Sequence, residues 1–224
     1  MIPWQLIETV PGPAPGEQLR LMQRDTEFSI KIGNQELMNS RVFGSEEALA
    51  ELACADLAAH RRPRVLIGGL GMGYTLAAAL RVLPADGEIV VAELIPAVVR
   101  WNRGPLAHLA GHPLDDPRVK VEETDVAHAI RKSPRGFDAI LLDVDNGPEG
   151  LTRKGNNWLY SLDGLGAAYA ALRSGGILAV WSAGPDPGFT RRLVKIGFET
   201  AEKRVRARGA QGGARHVIWL AKRV

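Results

Sequence analysis

In "FDAILLDVDNGPEG", Phe137 to Gly150, an apolar run from Ala139 to Leu142 stops at two aspartates, Asp143 and Asp145, before a Gly-Pro turn. A carboxylate there can orient and deprotonate an attacking amine, and a second acid can hold a cation. Upstream, "VLIGGLGMGYT" places Gly69, Gly71 and Gly73 at alternate positions after another apolar run. Glycines suit a sharp turn whose backbone approaches a ligand, just ahead of a helix N-terminus with free N–H groups. Glu93 closes the next apolar run, where an acid can accept both hydroxyls of a ribose; a plain surface acid at a strand end is the alternative. Asp125 in "EETDVAHAI" can accept from an adenine amine or cap the following helix, and the two roles are compatible. Tyr74 stands where the dinucleotide fingerprint wants Gly or Ala, which argues against a nicotinamide or flavin cofactor.

Such acids need strand ends to carry them. From Arg64 onward, apolar strand, turn and helix repeat: "RVLIGG", "EIVVAEL", "VKVEETD", "FDAILLDVD", "GGILAVWSA", a charged "TAEKRVRAR" and "HVIWLAKR" read as strands. Helices are expected at Tyr74 to Leu83, Pro96 to Arg103, Val126 to Lys132 and Leu162 to Leu172. Alternation of this kind predicts an α/β fold with a mostly parallel, Rossmann-like sheet covered on both faces. The last two strands are separated only by "GAQGGA" and should pair antiparallel. Before this unit, "PGPAPGE" (Pro11 to Glu17) reads as a linker or loop, and Gly33-Asn34 as a hairpin turn between alternating strands. Ser45 offers an N-cap for a helix ending near His60, with Leu49, Leu52, Ala53 and Leu57 on one face. The division expected is a β-hairpin appendage over 1–44 and a Rossmann-like unit over 45–224.

Composition narrows the classes. The chain has 224 residues and 46% apolar content, enough for a full-sized core. A single cysteine, Cys54, excludes an intramolecular disulfide; no Cys/His spacing suggests a metal, and no metal site is expected. Met1 to Val10 does not read as a cleavable leader, and no window approaches the roughly 18 apolar residues of a membrane span, so cytoplasmic residence is the expectation. From Arg191 to the end ten basic residues face two acids, Glu199 and Glu202. A basic tail can touch a polyanion, but these cations alternate along a strand without interleaved stacking aromatics, which argues for a charge-protected edge and against nucleic-acid binding. Oligomeric state is left open, a homodimer included.

Taken together, the glycine turn and three strand-end acids describe an adenosyl-sulfonium pocket. "VLIGGLGMGYTLAAAL", "VVAELIPAVVRWNRG", "DPRVKVEETDV", "FDAILLDVDNGPEGL" and "NNWLYSLDGLGAAYAALRSGGILAVWSA" resemble the spermidine synthase-like branch of class I S-adenosylmethionine-dependent transferases, over roughly Glu17 to Ser182. The resemblance implies a class I methyltransferase fold: seven strands, mostly parallel, with a C-terminal antiparallel hairpin and a small N-terminal β-hairpin unit. It implies a cofactor set of Gly69, Gly71, Gly73, Glu93, Leu94, Asp125 and Val126 for S-adenosylmethionine or its decarboxylated form. Asp143 matches the acid that ends the fourth strand of the fold and takes the catalytic role. Asp145 and Asn146 fall at the substrate side; Trp158 and Tyr160 could give it a flat apolar wall, with Asn156 and Asn157 hydrogen-bonding substrate, or the stretch could equally be a loop packing onto its own domain.

Departures from the family pattern weigh on the reaction. Gly71 stands where spermidine synthases carry the aspartate that helps hold the free amine of a decarboxylated cofactor. Their Tyr-His-Glu cluster is replaced by "GSEEALAEL", in which Glu46 or Glu47 could replace one acid, although charge at a helix start explains both. The expectation is therefore a transferase that moves a methyl group to a small acceptor, an amine by the acids present. Its alternative is an aminopropyltransferase acting on a di- or polyamine. A non-catalytic cofactor-binding subunit is the third reading.

Overall fold

A computed structural model of the chain describes residues 2–144 and 158–224. Four strands come first: β1 (Gln5–Pro11), β2 (Gln18–Arg24), β3 (Glu27–Ile32) and β4 (Gln35–Asn39) form an antiparallel sheet in that order. The Gly33-Asn34 dipeptide is the two-residue turn between β3 and β4, as its composition predicts. Alternation sets the faces, so that Leu19, Leu21, Phe28 and Ile30 are buried together; Arg20 between the first two is more exposed, whereas Ser29 is buried on the other face and donates its hydroxyl to Glu36 Oε2 at 2.7 Å.

Of the two readings of Pro11 to Glu17, linker or loop, the second holds: it is the turn of a further hairpin. Gly12 N donates to Glu17 O at 2.8 Å, and β1 pairs with β2 on its far side. β1 escaped the sequence reading because the Pro/Gly cluster that ends it masks its alternation. The Glu8 carboxylate then ties β1 to the main body, accepting from Trp101 Nε1 at 2.6 Å and Arg100 Nη2 at 2.7 Å.

The remaining strands, β5 (Arg64–Gly68), β6 (Glu88–Glu93), β7 (Val119–Glu123), β8 (Phe137–Leu142), β9 (Leu172–Ser182), β10 (Phe198–Arg206) and β11 (Arg215–Arg223), build a sheet of order β10-β11-β9-β8-β5-β6-β7. β5 to β9 run parallel to one another, and β11 pairs antiparallel with both β9 and β10. The apolar run of β8 is explained by burial on both faces: Ala139 and Leu141 join one core cluster, Ile140 and Leu142 the other. Helices α1 (Gly44–Cys54), α2 (Tyr74–Val82) and α3 (Pro96–Arg103) contribute to the first cluster, which the small sheet shares. Helices α4 (Val126–Arg131), α5 (Leu162–Ala171) and α6 (Pro187–Ile196) contribute to the second.

α6 is absent from the sequence reading although its signals are plain. Asp186 caps it by accepting from Phe189 N at 3.0 Å, Pro187 opens it, and Gly197 ends it with φ +108°. Ser45, expected as a cap, lies inside α1, which is capped at Phe43 without a side-chain bond. No helix among the described residues is long and apolar enough to cross a membrane.

Candidate functional site

Strand order reverses at β5, which lies between β6 and β8, so the chain ends of these strands diverge and leave a crevice. One cavity fills it, floored by residues that follow β5 to β8 (Gly69, Gly71, Glu93, Asp125, Asp143) and roofed by Leu19, Ile30 and Met38 of the small sheet.

Two glycines fit the turn for a steric reason. Gly69 has φ +86°, and a Cβ there would lie 2.5 Å from the Asp143 carbonyl oxygen; Gly71 has φ +54°, and its Cβ would meet the Met38 side chain at 2.8 Å. The turn is further held by Asn102, a buried residue of α3 that donates to Gly71 O at 2.8 Å and to Val98 O at 2.9 Å. Glu93, 7% exposed, accepts from Leu70 N at 2.9 Å and from Ile95 N at 2.8 Å. A carboxylate has about four acceptor positions, so holding two backbone amides is compatible with accepting a ribose hydroxyl as well. Asp125 caps α4 through Ala127 N at 2.8 Å and also faces the cavity, as do Leu94 and Val126.

Asp143 receives the Thr75 hydroxyl on Oδ2 at 2.8 Å. Burial raises its pKa above the usual aspartate value against that one opposing bond. Glu46 lines the same cavity. Burial, followed by the nearby Asp143 charge, pushes it up to about 7, despite the Ser45 hydroxyl donated to its Oε2 at 2.7 Å. Two carboxyls that disfavour each other's ionisation are suited to moving protons near neutrality.

The sequence-derived residues therefore divide. Gly69, Gly71, Glu93, Leu94, Asp125, Val126 and Asp143 share the cavity wall. Gly73 does not: it precedes α2 as its cap, and a Cβ there would meet Asn102 and Pro113. Trp158 and Tyr160 also do not line the cavity. Tyr160 is 4% exposed and packs edge-on against Phe189 in the second core cluster, while Trp158 lies under the Arg131 guanidinium, 3.7 Å from its ring centroid. Their aromatic surface serves packing of the opposite sheet face. Asp145, Asn146, Asn156 and Asn157 lie outside the described residues. Glu46 is the cavity acid whose place the sequence underrates, since its partner Asp143 is remote in the chain. No cluster of potential metal ligands occurs among the described residues.

This sheet order, with a glycine turn after its central strand and acids after its neighbours, is that of a class I S-adenosylmethionine-dependent methyltransferase-like protein. The chain has the spermidine synthase-like fold of that superfamily. A solved spermidine synthase from Thermotoga maritima superposes with a TM-score of 0.76 at 20% identity, covering 98% of this chain and 73% of that one. Polyamine aminopropyltransferase 1 of Streptomyces coelicolor is 32% identical over 125 residues, 54% of this chain and 22% of the relative. Polyamine aminopropyltransferase 2 of Pseudomonas aeruginosa is 30% identical over 134 residues, 54% of this chain and 34% of the relative. The chain thus matches about a fifth to a third of the length of these curated relatives. No family model matches it.

Proposed function

We propose that this chain is an aminopropyltransferase that uses decarboxylated S-adenosylmethionine and a cytoplasmic di- or polyamine acceptor. One observation carries the proposal: among the described residues lining the cavity, Glu46, Glu93, Asp125 and Asp143 are acidic and none is basic. Intact S-adenosylmethionine brings a carboxylate into this field, and its decarboxylated form does not. A carboxylate within about 4 Å of one such acid is repelled by roughly 1 kcal/mol in water and about 4 kcal/mol at an effective dielectric of 20. The acid missing from position 71 is thereby offset by acids elsewhere on the wall. The preference for methyl transfer, which rested on the incomplete polyamine pocket, both the acid missing at 71 and the absent Tyr-His-Glu cluster, yields to this balance. Similarity to two aminopropyltransferases supports the same choice.

The residues present suit such a cofactor. Glu93 and Leu94 would hold its ribose, Asp125 and Val126 its adenine edge, and the turn at Gly69 and Gly71 its aliphatic arm. When bound, it supplies an electrophilic carbon beside a sulfonium. Displacement there needs positioning more than covalent help. Asp143, oriented by Thr75, aligns the attacking amine, and the acid pair it forms with Glu46 receives the proton that the amine must lose.

The test is an assay of the full chain with each form of the cofactor and a series of α,ω-diamines, read by product mass. Gain of an aminopropyl group supports the proposal. Gain of a methyl group from intact S-adenosylmethionine alone refutes it.

A further inference from the structure

Ser45 is fully buried, and titratable groups stand on both sides of its hydroxyl. It donates to Glu46 Oε2 at 2.7 Å, and His216 Nδ1 lies 2.9 Å from the same Oγ. Glu46 lines the cavity, whereas the His216 ring, on β11, is partly exposed. The row of hydrogen bonds therefore begins at the proposed reacting centre and ends toward solvent. A serine kept only to cap a helix would have a backbone partner, and Ser45 caps nothing.

We propose that Glu46, Ser45 and His216 form a proton wire that carries the acceptor's proton out of the cavity. The source of the proton rests on the aminopropyltransferase reading. There an ammonium acceptor and a sulfonium become a secondary ammonium and a neutral thioether, releasing one proton per turnover. At rest the Glu46 carboxylate accepts the Ser45 O–H, and Ser45 Oγ accepts His216 Nδ1–H. Once Glu46 has taken the amine proton, His216 exchanges its Nδ1 hydrogen for one on Nε2 through solvent, with no net gain or loss, and both bonds reverse, with Glu46 donating to Ser45 and Ser45 to Nδ1. Glu46 then passes its proton to Ser45 Oγ while the Ser45 proton moves to Nδ1, leaving an imidazolium that loses its Nε2 proton to solvent. The resting arrangement is restored and the charges balance.

The surroundings set the two ends of the wire, and the uphill passage from Glu46 to His216 is completed by release of the Nε2 proton to solvent. Glu46 is faced by Asp143 beyond β8, by Glu47 of α1, and by Tyr74 and Thr75 of α2, so its neighbours promote its protonation. His216 is faced by Trp181 of β9, edge-on at 4.7 Å, and paired with Val205 of β10. No ion pair to His216 occurs among the described residues, and burial lowers its pKa below the usual imidazole value, which keeps it neutral between transfers and makes the imidazolium quick to shed its proton.

Imidazole NMR of the full chain tests the wire without any turnover. His216 should change its tautomer signature as Glu46 titrates near pH 7, and Glu46→Gln or Ser45→Ala should abolish that step. Kinetics supply the second readout. His216→Gln should lower kcat by about tenfold, less than the roughly 10²-fold of a group that takes the proton directly, with the diamine KM unchanged. Added imidazole should restore His216→Ala. A His216 signal indifferent to Glu46→Gln overturns the wire whatever the activity. Loss of aminopropyl transfer as an assignment, with the Glu46-dependent His216 step intact, refutes the enzyme reading and supports the wire.

Discussion

Thr75, the second residue of α2, donates its hydroxyl to Asp143 Oδ2 at 2.8 Å and so joins the helix after the glycine turn to the acid after β8. This bond opposes burial, which raises the Asp143 pKa. Its loss should raise the pKa further. Hydrogen bonds to charged groups contribute about 1.5 to 3 kcal/mol, so Thr75→Val should move the acidic limb of the pH–rate profile upward by about one to two pH units. Asp143→Asn should keep the adenosyl affinity while turnover falls about 10²- to 10⁴-fold. An unmoved limb in Thr75→Val, with full turnover in Asp143→Asn, would leave Asp143 a loop-building residue.

Glu93 joins Leu70 and Ile95 through backbone amides at the end of β6. Replacing it with alanine should weaken S-adenosylhomocysteine by roughly 1.5 to 3 kcal/mol, measured by calorimetry. A variant that binds as the parent does would remove Glu93 from the cofactor site.

Glu46 makes a stability prediction with a defined sign. Its folded pKa is about 7 against an ordinary 4.5, so the folded chain holds an extra proton between those values. The corresponding stability is fully present below about pH 4.5 and lost as pH rises through about 7. Glu46→Gln should cancel that loss: relative to the parent, the variant should gain progressively from about pH 5 and level off above pH 7, by up to about 3 kcal/mol. Denaturant melts across this range check it. A constant difference would place Glu46 in water.

Much of the site was legible because strand ends carry their own mark. Glu93 and Asp143 each close an apolar run buried on both faces, the mark of a parallel strand, while Asp125 follows the polar β7 and is marked by its place before a helix. What the sequence hid depends on contacts between distant segments. Glu46 reads as helix-start charge until α1 is seen beside Asp143, and Ser45 reads as a cap until His216 is seen across from it. Tyr160 misled for the opposite reason: an aromatic after a polar loop suits a pocket rim and a core equally, and Phe189 decides for the core. Gly73 shares the spacing of Gly69 and Gly71 but turns toward Asn102.

The central claim, that an acidic wall without a described basic residue selects the cofactor lacking a carboxylate, is tested most directly by calorimetry of the full chain with S-adenosylmethionine and its decarboxylated form side by side. We expect the decarboxylated form to bind at least tenfold more tightly, a difference of about 1.4 kcal/mol. Equal affinities, or tighter binding of intact S-adenosylmethionine, would contradict it.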